Sequence, residues 1–360
     1  MAKFHKLKVK EVTPETPDSV SIAFDIPANL KNEYKYIQGQ YITFKLNING
    51  EEVRRSYSLC SSPLTDSELR IVVKKVKNGK GSVWLNSNIK QGDEIEIMTP
   101  MGNFYTPTDP GNKKNYILIA GGSGITPMLS IIKTILKAEP LSKLTLFYGN
   151  RDEASIIFKN QLHRIATQEA ERFRLFHIIE NIDQQSAEIT KGILTTEKIE
   201  LLIRNHVDLN SDNEFFICGP APMMDNAKKV LTGLTIDNKK IHIEYFTAAK
   251  DLTANIENST LKIQHSVTSK VTVILDGNKT SFQLKSDGES VLDSALEAGV
   301  DVPYACKGAV CCTCRAKIIE GRVKMDMNYA LTDDEVSQGY VLTCQSHPIT
   351  PVLIVDYDHL

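Results

Sequence analysis

Four cysteines near the carboxyl end have the residue type and spacing for redox chemistry. Cys306, Cys311 and Cys314 form a C-x4-C-x2-C run, and Cys344 follows after a further 29 residues. Thiolates in that pattern can hold two irons and two sulfides. Gly308 is expected to take a positive φ, which would turn backbone N–H groups toward the sulfides. Structural zinc is the competing assignment, but zinc sites usually pair two C-x2–4-C units, and here the fourth cysteine stands alone. The chain has seven cysteines, five of them after residue 305, whereas a disulfide framework would be spread more evenly. Cys312 is not demanded by the spacing and reads as a small buried residue.

Two further clusters can bind anionic cofactors. Arg55-Ser56-Tyr57-Ser58 sits at a strand end, and Gly79, Gly81 and Ser82 follow at the opening of a helix predicted over Val83–Asn88. A helix start with free backbone donors and a hydroxyl is an anion site. The four-letter match alone occurs by chance; the pair in order is more specific. Next, Tyr116–Ala120 runs into Gly121-Gly122-Ser123-Gly124-Ile125-Thr126-Pro127, a glycine loop between strand and helix that lets backbone approach a pyrophosphate. Thr126 and Pro127 suit the cap and first turn of that helix. Cys218-Gly219-Pro220 ends another strand; a buried structural cysteine is a realistic reading in isolation, but the partnership with Gly121–Pro127 argues against it. Arg151 follows strand Leu144–Tyr148, where an arginine can pair a 2′-phosphate or simply be an exposed loop residue.

These groups need three kinds of scaffold. Residues 1–110 show short strands (Val20–Phe24, Tyr41–Leu46, Leu69–Val76, Glu94–Met98) divided by polar turns, which predicts an antiparallel barrel. Residues 111–248 alternate strands (Tyr116–Ala120, Leu144–Tyr148, Arg174–Ile179, Glu214–Ile217) with helices (Met128–Lys137, Ile157–Thr167, Met223–Leu234), which predicts a doubly wound parallel sheet. Residues 249–269 are polar and are expected to be a linker, and 270–360 hold mixed strands with one helix near Ser290–Ala298. Residues 266–360 carry 8 Lys/Arg against 13 Asp/Glu, and the rest has a slight cationic excess. That division fits electrostatic docking between modules, or ordinary scatter of surface charge.

A net charge of −2 gives no reason to expect nucleic acid as a partner. The basic start, Met1–Lys10, is not followed by an apolar stretch of signal-peptide type. Aliphatic runs such as Val352–Val355 are far short of a membrane span. A cytoplasmic location is the expectation, with no membrane partner.

Over essentially the whole chain the motifs resemble the ferredoxin–NADP reductase superfamily joined to a plant-type [2Fe–2S] ferredoxin domain. The resemblance implies a multidomain fold: an antiparallel β-barrel for flavin, a doubly wound α/β domain for nicotinamide, and an α+β β-grasp domain for the cluster. It implies that Arg55, Gly81 and Ser82 hold the FAD pyrophosphate, Tyr57 stacks on the isoalloxazine, and Ser58 hydrogen-bonds near N5. Gly121, Gly122, Gly124 and Thr126 would receive NADP(H), with NADH possible and Arg151 on the 2′-phosphate. Cys218, Gly219 and Pro220 would lie beside the nicotinamide, making Ser58 and Cys218 the candidate catalytic residues. Phe246 would shield the flavin, or pack against the barrel. Cys306, Cys311, Cys314 and Cys344 would ligate the cluster.

Cys306–Cys314 (CKGAVCCTC), Met327–Leu331 and Gly339–Gln345 are similar to reductases of the phenylacetyl-CoA epoxidase type. That implies a multisubunit di-iron oxygenase as electron acceptor in phenylacetate degradation. A reductase for a Rieske or an alkane or lipid hydroxylase, and a redox-sensing module, are the alternatives. No Glu-x-x-His iron motif is apparent, so substrate oxidation is expected to occur on another protein.

Overall fold

The computed structural model describes residues 3–181, 190–246 and 266–359. The first sheet comprises β1 (Phe4–Thr16), β2 (Ser19–Asp25), β3 (Tyr41–Ile48), β4 (Glu51–Ser58), β5 (Leu69–Lys74) and β6 (Glu94–Met98). Its order is β4-β3-β6-β1-β2-β5, antiparallel throughout. A bridge between Leu59 and Ile71 joins its two edges, so the sheet curls into the expected barrel. Strand β1 was hidden by its lysines. Lys6, Lys8 and Lys10 are its exposed face, while Leu7 and Val9 alternate inward to the core. Helix α1 (Lys80–Asn88) lies between β5 and β6 and buries Leu85.

The second sheet is parallel, in the order β11-β10-β7-β8-β9. Its elements are β7 (Asn115–Gly121), α2 (Ile125–Ala138), β8 (Lys143–Asn150), α3 (Lys159–Gln168), β9 (Phe173–Ile179), α4 (Thr196–His206), β10 (Asn213–Cys218), α5 (Ala221–Gly233) and β11 (Ile241–Glu244). The order reverses between β7 and β10, so the loops after these strands open the crevice in which such sheets bind ligands. Helix α4 was not anticipated, although Thr195 caps it and Ile199, Leu202 and Ile203 form its buried stripe.

The third section is a mixed sheet in the order β13-β12-β18-β14-β16. It contains β12 (Thr268–Leu275), β13 (Asn278–Lys285), α6 (Val291–Glu297), β14 (Arg315–Glu320), β15 (Val323–Met325), α7 (Asp333–Ser337), β16 (Tyr340–Leu342), β17 (Ser346–Pro348) and β18 (Val352–Asp356). Val291, Leu292 and Ala295 of α6 join its core, as the β-grasp arrangement requires. Residues 249–265 of the expected linker lie outside the described residues. Thr268 and Ser269, placed in that linker by sequence, already belong to β12. No described helix is long and apolar enough to cross a membrane.

Candidate active site

A cavity of about 930 Å³ lies where the three sections meet. Alternation along β4 sends the side chains of Arg55 and Tyr57 to one face, and Ser58 ends the strand at the same cavity. The Tyr57 ring is fixed edge-on against Phe44, with centroids 5.3 Å apart. Opposite, Gly79 is the N-cap of α1 and supplies no side-chain acceptor. The helix therefore points its unfilled N–H groups at the space beside Arg55, a combination suited to a phosphate. Gly81 keeps that approach open, since a Cβ there would come within 3.1 Å of Arg55 Cγ. The Ser82 hydroxyl accepts from the Val76 N–H at 3.1 Å, which ties the helix start to the preceding loop and leaves its own proton to donate. Phe246, 39% exposed, stands on the same wall.

Gly121, Gly122, Thr126, Gly219 and Pro220 form the side belonging to the parallel sheet. Their two loops interlock: a Cβ on Gly121 would meet Pro220 Cδ at 2.6 Å, and one on Gly124 would meet the Cys218 carbonyl oxygen at 2.0 Å. Gly124 is thus a packing glycine and does not line the cavity. Gly122 has φ +52°, in the left-handed region. Thr126 is not the cap that the sequence suggested. A 3-10 turn over Gly122–Gly124 moves the helix start upstream, and the Thr126 hydroxyl donates instead to the Ser123 carbonyl at 3.0 Å.

Cys218 stands at the carboxyl end of β10, but its thiol is fully buried and the cavity wall is made by Gly219 and Pro220. Burial pushes that thiol well above its ordinary range, and the Glu244 carboxylate adds to the shift. Glu244 was missed in the sequence. It ends β11, and Ser58 Oγ donates to its Oε2 at 2.9 Å. Nothing in the short motif Glu244-Tyr245-Phe246 signals this contact, because the partners are 186 residues apart. Arg151 lies outside the cavity wall, exposed at the end of β8 and paired with Asp152 at 2.8 Å.

Burial raises the Glu244 carboxyl to about 8, although the Ser58 hydrogen bond opposes the shift. The folded protein therefore keeps a proton that the unfolded chain releases, so Glu244 makes stability fall as pH rises from about 4.5 to about 8. A Glu244→Gln variant is expected to show a shallower loss of Tm across this window than wild type. Identical slopes in thermal melts would contradict a half-buried carboxyl that stays protonated.

The four predicted ligand cysteines come together as two pairs. The Cys311 thiol lies 3.1 Å from Cys306 Sγ and donates to it, which holds Cys306 below its ordinary range. Cys314 and Cys344 form the second pair, with Cys344 lowered in the same way. Two adjacent pairs suit two bridged irons better than one tetrahedral ion. The Gly308 N–H points at Cys306 Sγ at 3.3 Å. The left-handed residues are Lys307 (φ 49°) and Ala309 (φ 63°), not Gly308. Left-handed residues on both sides aim the loop's N–H groups inward as a nest, a ready environment for anionic sulfur. Tyr304, Cys306 and Lys307 also line the 930 Å³ cavity, so the first of the four expected ligands stands at the wall that Arg55 and Tyr57 face.

Comparison with known proteins matches this geometry section by section. The oxidoreductase FAD-binding domain family matches residues 6–105, the oxidoreductase NAD-binding domain family residues 118–229, and the 2Fe-2S iron-sulfur cluster binding domain family residues 273–348. The chain belongs to the ferredoxin–NADP reductase type of oxidoreductase with a fused [2Fe–2S] domain, the family of the reductase components of multicomponent oxygenases. It is 40% identical to one of the subunits of the 1,2-phenylacetyl-CoA epoxidase of Escherichia coli K12, over 99% of each chain. It is 32% identical to the ferredoxin reductase component of 3-ketosteroid-9-alpha-monooxygenase of Rhodococcus rhodochrous, over 98% of this chain and 96% of that one. Among solved structures, phthalate dioxygenase reductase shares the fold, with a TM-score of 0.59 at 24% identity over 98% of both chains.

Proposed function

We propose that this oxidoreductase draws electrons from NADPH and delivers them to a multisubunit di-iron oxygenase of the phenylacetyl-CoA epoxidase type. The observation that carries this reading is the single cavity shared by Arg55, Tyr57 and Ser58, by Gly121 and Pro220, and by Cys306. FAD held there would supply the conversion of a two-electron hydride into single electrons that a [2Fe–2S] acceptor needs. The chain's part is to bind, orient and exclude water. Arg55, with Gly81, Ser82 and the α1 start, holds the pyrophosphate by charge-assisted hydrogen bonds. Tyr57 packs against one face of the ring system and Phe246 covers it. Ser58 presents its hydroxyl at the flavin edge, with its proton directed to Glu244. Gly121, Gly122, Gly124 and Thr126 shape the loop for the nicotinamide dinucleotide, with Cys218, Gly219 and Pro220 at its reactive end. Cys306, Cys311, Cys314 and Cys344 ligate the two irons. The similarity to the Escherichia coli epoxidase component across the full chain supports the choice of acceptor.

The test mixes the reconstituted chain with purified phenylacetyl-CoA epoxidase oxygenase subunits, NADPH, oxygen and phenylacetyl-CoA. NADPH consumption coupled to epoxide is expected. Failure with this oxygenase, alongside efficient turnover with a Rieske or steroid oxygenase, would overturn the acceptor assignment.

Arg151 is proposed to leave Asp152 for the 2′-phosphate of NADPH. An Arg151→Ala variant should lose about 1–3 kcal/mol of transition-state binding with NADPH, read as a fall in kcat/KM, and little with NADH. Equal losses with both donors would make Arg151 structural.

A further inference from the structure

The geometry points to a latch, built by Tyr41 and Arg54 of the barrel, that clamps the cluster-binding loop against the flavin cavity. Resting on the functional reading above, it makes these two side chains positioning residues for electron transfer within the chain.

Tyr41 opens β3 and is 6% exposed. Its hydroxyl accepts from the Cys312 N–H at 3.0 Å and lies 3.2 Å from Thr313 Oγ1 and 3.3 Å from Cys312 Sγ. Those partners belong to the other module, 271 and 272 positions away, and they sit between the ligands Cys311 and Cys314. The ring itself packs in the hydrophobic core of the ferredoxin section. A buried tyrosine hydroxyl needs a partner, and this one is satisfied by the docked loop.

Arg54 grips the other flank. Alternation along β4 turns it away from Arg55, and its side chain is only 2% exposed. Its Nη2 donates to Asp301 Oδ1 at 2.5 Å, its Nη1 to the Val302 carbonyl at 3.4 Å, and its Nε to Glu52 Oε1 at 2.8 Å. The guanidinium stacks 4.2 Å from the Tyr304 ring centre. Asp301–Tyr304 is the segment leading into Cys306. The latch therefore holds the chain before the first ligand and after the second, and this places Cys306 on the cavity wall. It also gives Cys312, unexplained by ligand spacing, a place in the contact.

This arrangement differs from loose docking between an acidic and a basic module. Asp301 is 66% exposed and also pairs with Lys45 at 3.5 Å, so salt should weaken this ionic flank, while the buried Tyr41 hydroxyl cluster is screened little and should hold the loop at high ionic strength. Arg54 also lines the flavin cavity, so the latch is better opened at Tyr41 or Asp301, which lie outside that lining.

The test uses the full chain loaded with FAD and cluster, as wild type, Tyr41→Phe and Asp301→Asn. Amide exchange read by mass spectrometry should rise in the peptide containing Cys312 in Tyr41→Phe, by about tenfold for loss of one buried hydrogen bond. The cluster midpoint potential should shift. The cluster should be reduced more slowly after NADPH is added, while NADPH-driven ferricyanide reduction stays at the wild-type rate. Asp301→Asn should slow cluster reduction by removing the charged link between Arg54 and the segment leading into Cys306, while Glu52 still holds the guanidinium on the barrel. Unchanged exchange, potential and cluster reduction in both variants would overturn the latch. A wild-type cluster that NADPH never reduces would overturn the functional reading instead, since exchange reports the contact independently of electron flow.

Discussion

A Cys311→Ser variant is expected to divide the reaction into two halves. It should purify with FAD and without a [2Fe–2S] cluster, because one thiolate of the Cys306–Cys311 pair is gone and an alkoxide ligand is a poor match for iron–sulfur chemistry. Flavin reduction by NADPH and electron transfer to ferricyanide should continue near the wild-type rate. The walls proposed for donor and flavin are built from residues of the first two sections. Transfer to the oxygenase should fall to background. Iron and sulfide assay, flavin absorbance and oxygenase turnover on one preparation check all three. Turnover of the oxygenase at the wild-type rate without a cluster would mean that electrons leave directly from the flavin.

The second large effect falls on flavin binding. In an Arg55→Ala variant the α1 start keeps its N–H groups, but the pyrophosphate would lose the arginine proposed to face it from β4. Loss of a charged hydrogen bond costs about 1.5–3 kcal/mol, which weakens FAD roughly 10- to 150-fold. Such a variant should purify largely flavin-free and recover absorbance only at raised FAD. Its cluster content should be unchanged, because the ligands lie in a module with its own core. Full flavin occupancy with wild-type affinity, measured by titration of the apoprotein, would show that Arg55 does not contact the cofactor.

The parts of this site that could be read from sequence are those in which chemistry is local. The cysteine spacing, the Gly121–Gly124 loop and the Arg55–Ser58 strand end each suggest a chemistry within a few residues, because the chemistry proposed for each needs a backbone shape or a donor set that neighbours in sequence supply. Contacts closed by the tertiary fold were not legible. Ser58 meets Glu244 only because β11 is added beside β10 at the sheet edge. Tyr41 reads as one more aromatic in a strand, and its link to Cys312 exists only once the ferredoxin section docks. Other misses were errors of pattern. The basic start, Met1–Lys10, contains a strand that its lysines mask, since Leu7 and Val9 between them mark a half-buried face. Gly308 drew the expectation of a left-handed turn that Lys307 and Ala309 provide instead. Arg151 occupies the anticipated position after β8, but its engagement with Asp152 could not be foreseen from motif alone.

The central claim is that two electrons enter as hydride at one wall of the cavity and leave singly through Cys306 and its companion ligands at another. Anaerobic stopped-flow mixing of the fully loaded chain with one equivalent of NADPH, with samples freeze-quenched for EPR, tests it most directly. The account predicts bleaching of the flavin first, then a stoichiometric signal from the reduced [2Fe–2S] cluster in the same chains, appearing at a rate independent of protein concentration. A flavin that bleaches while the cluster stays oxidised, or a cluster signal whose rate scales with protein concentration, would contradict transfer across the shared cavity.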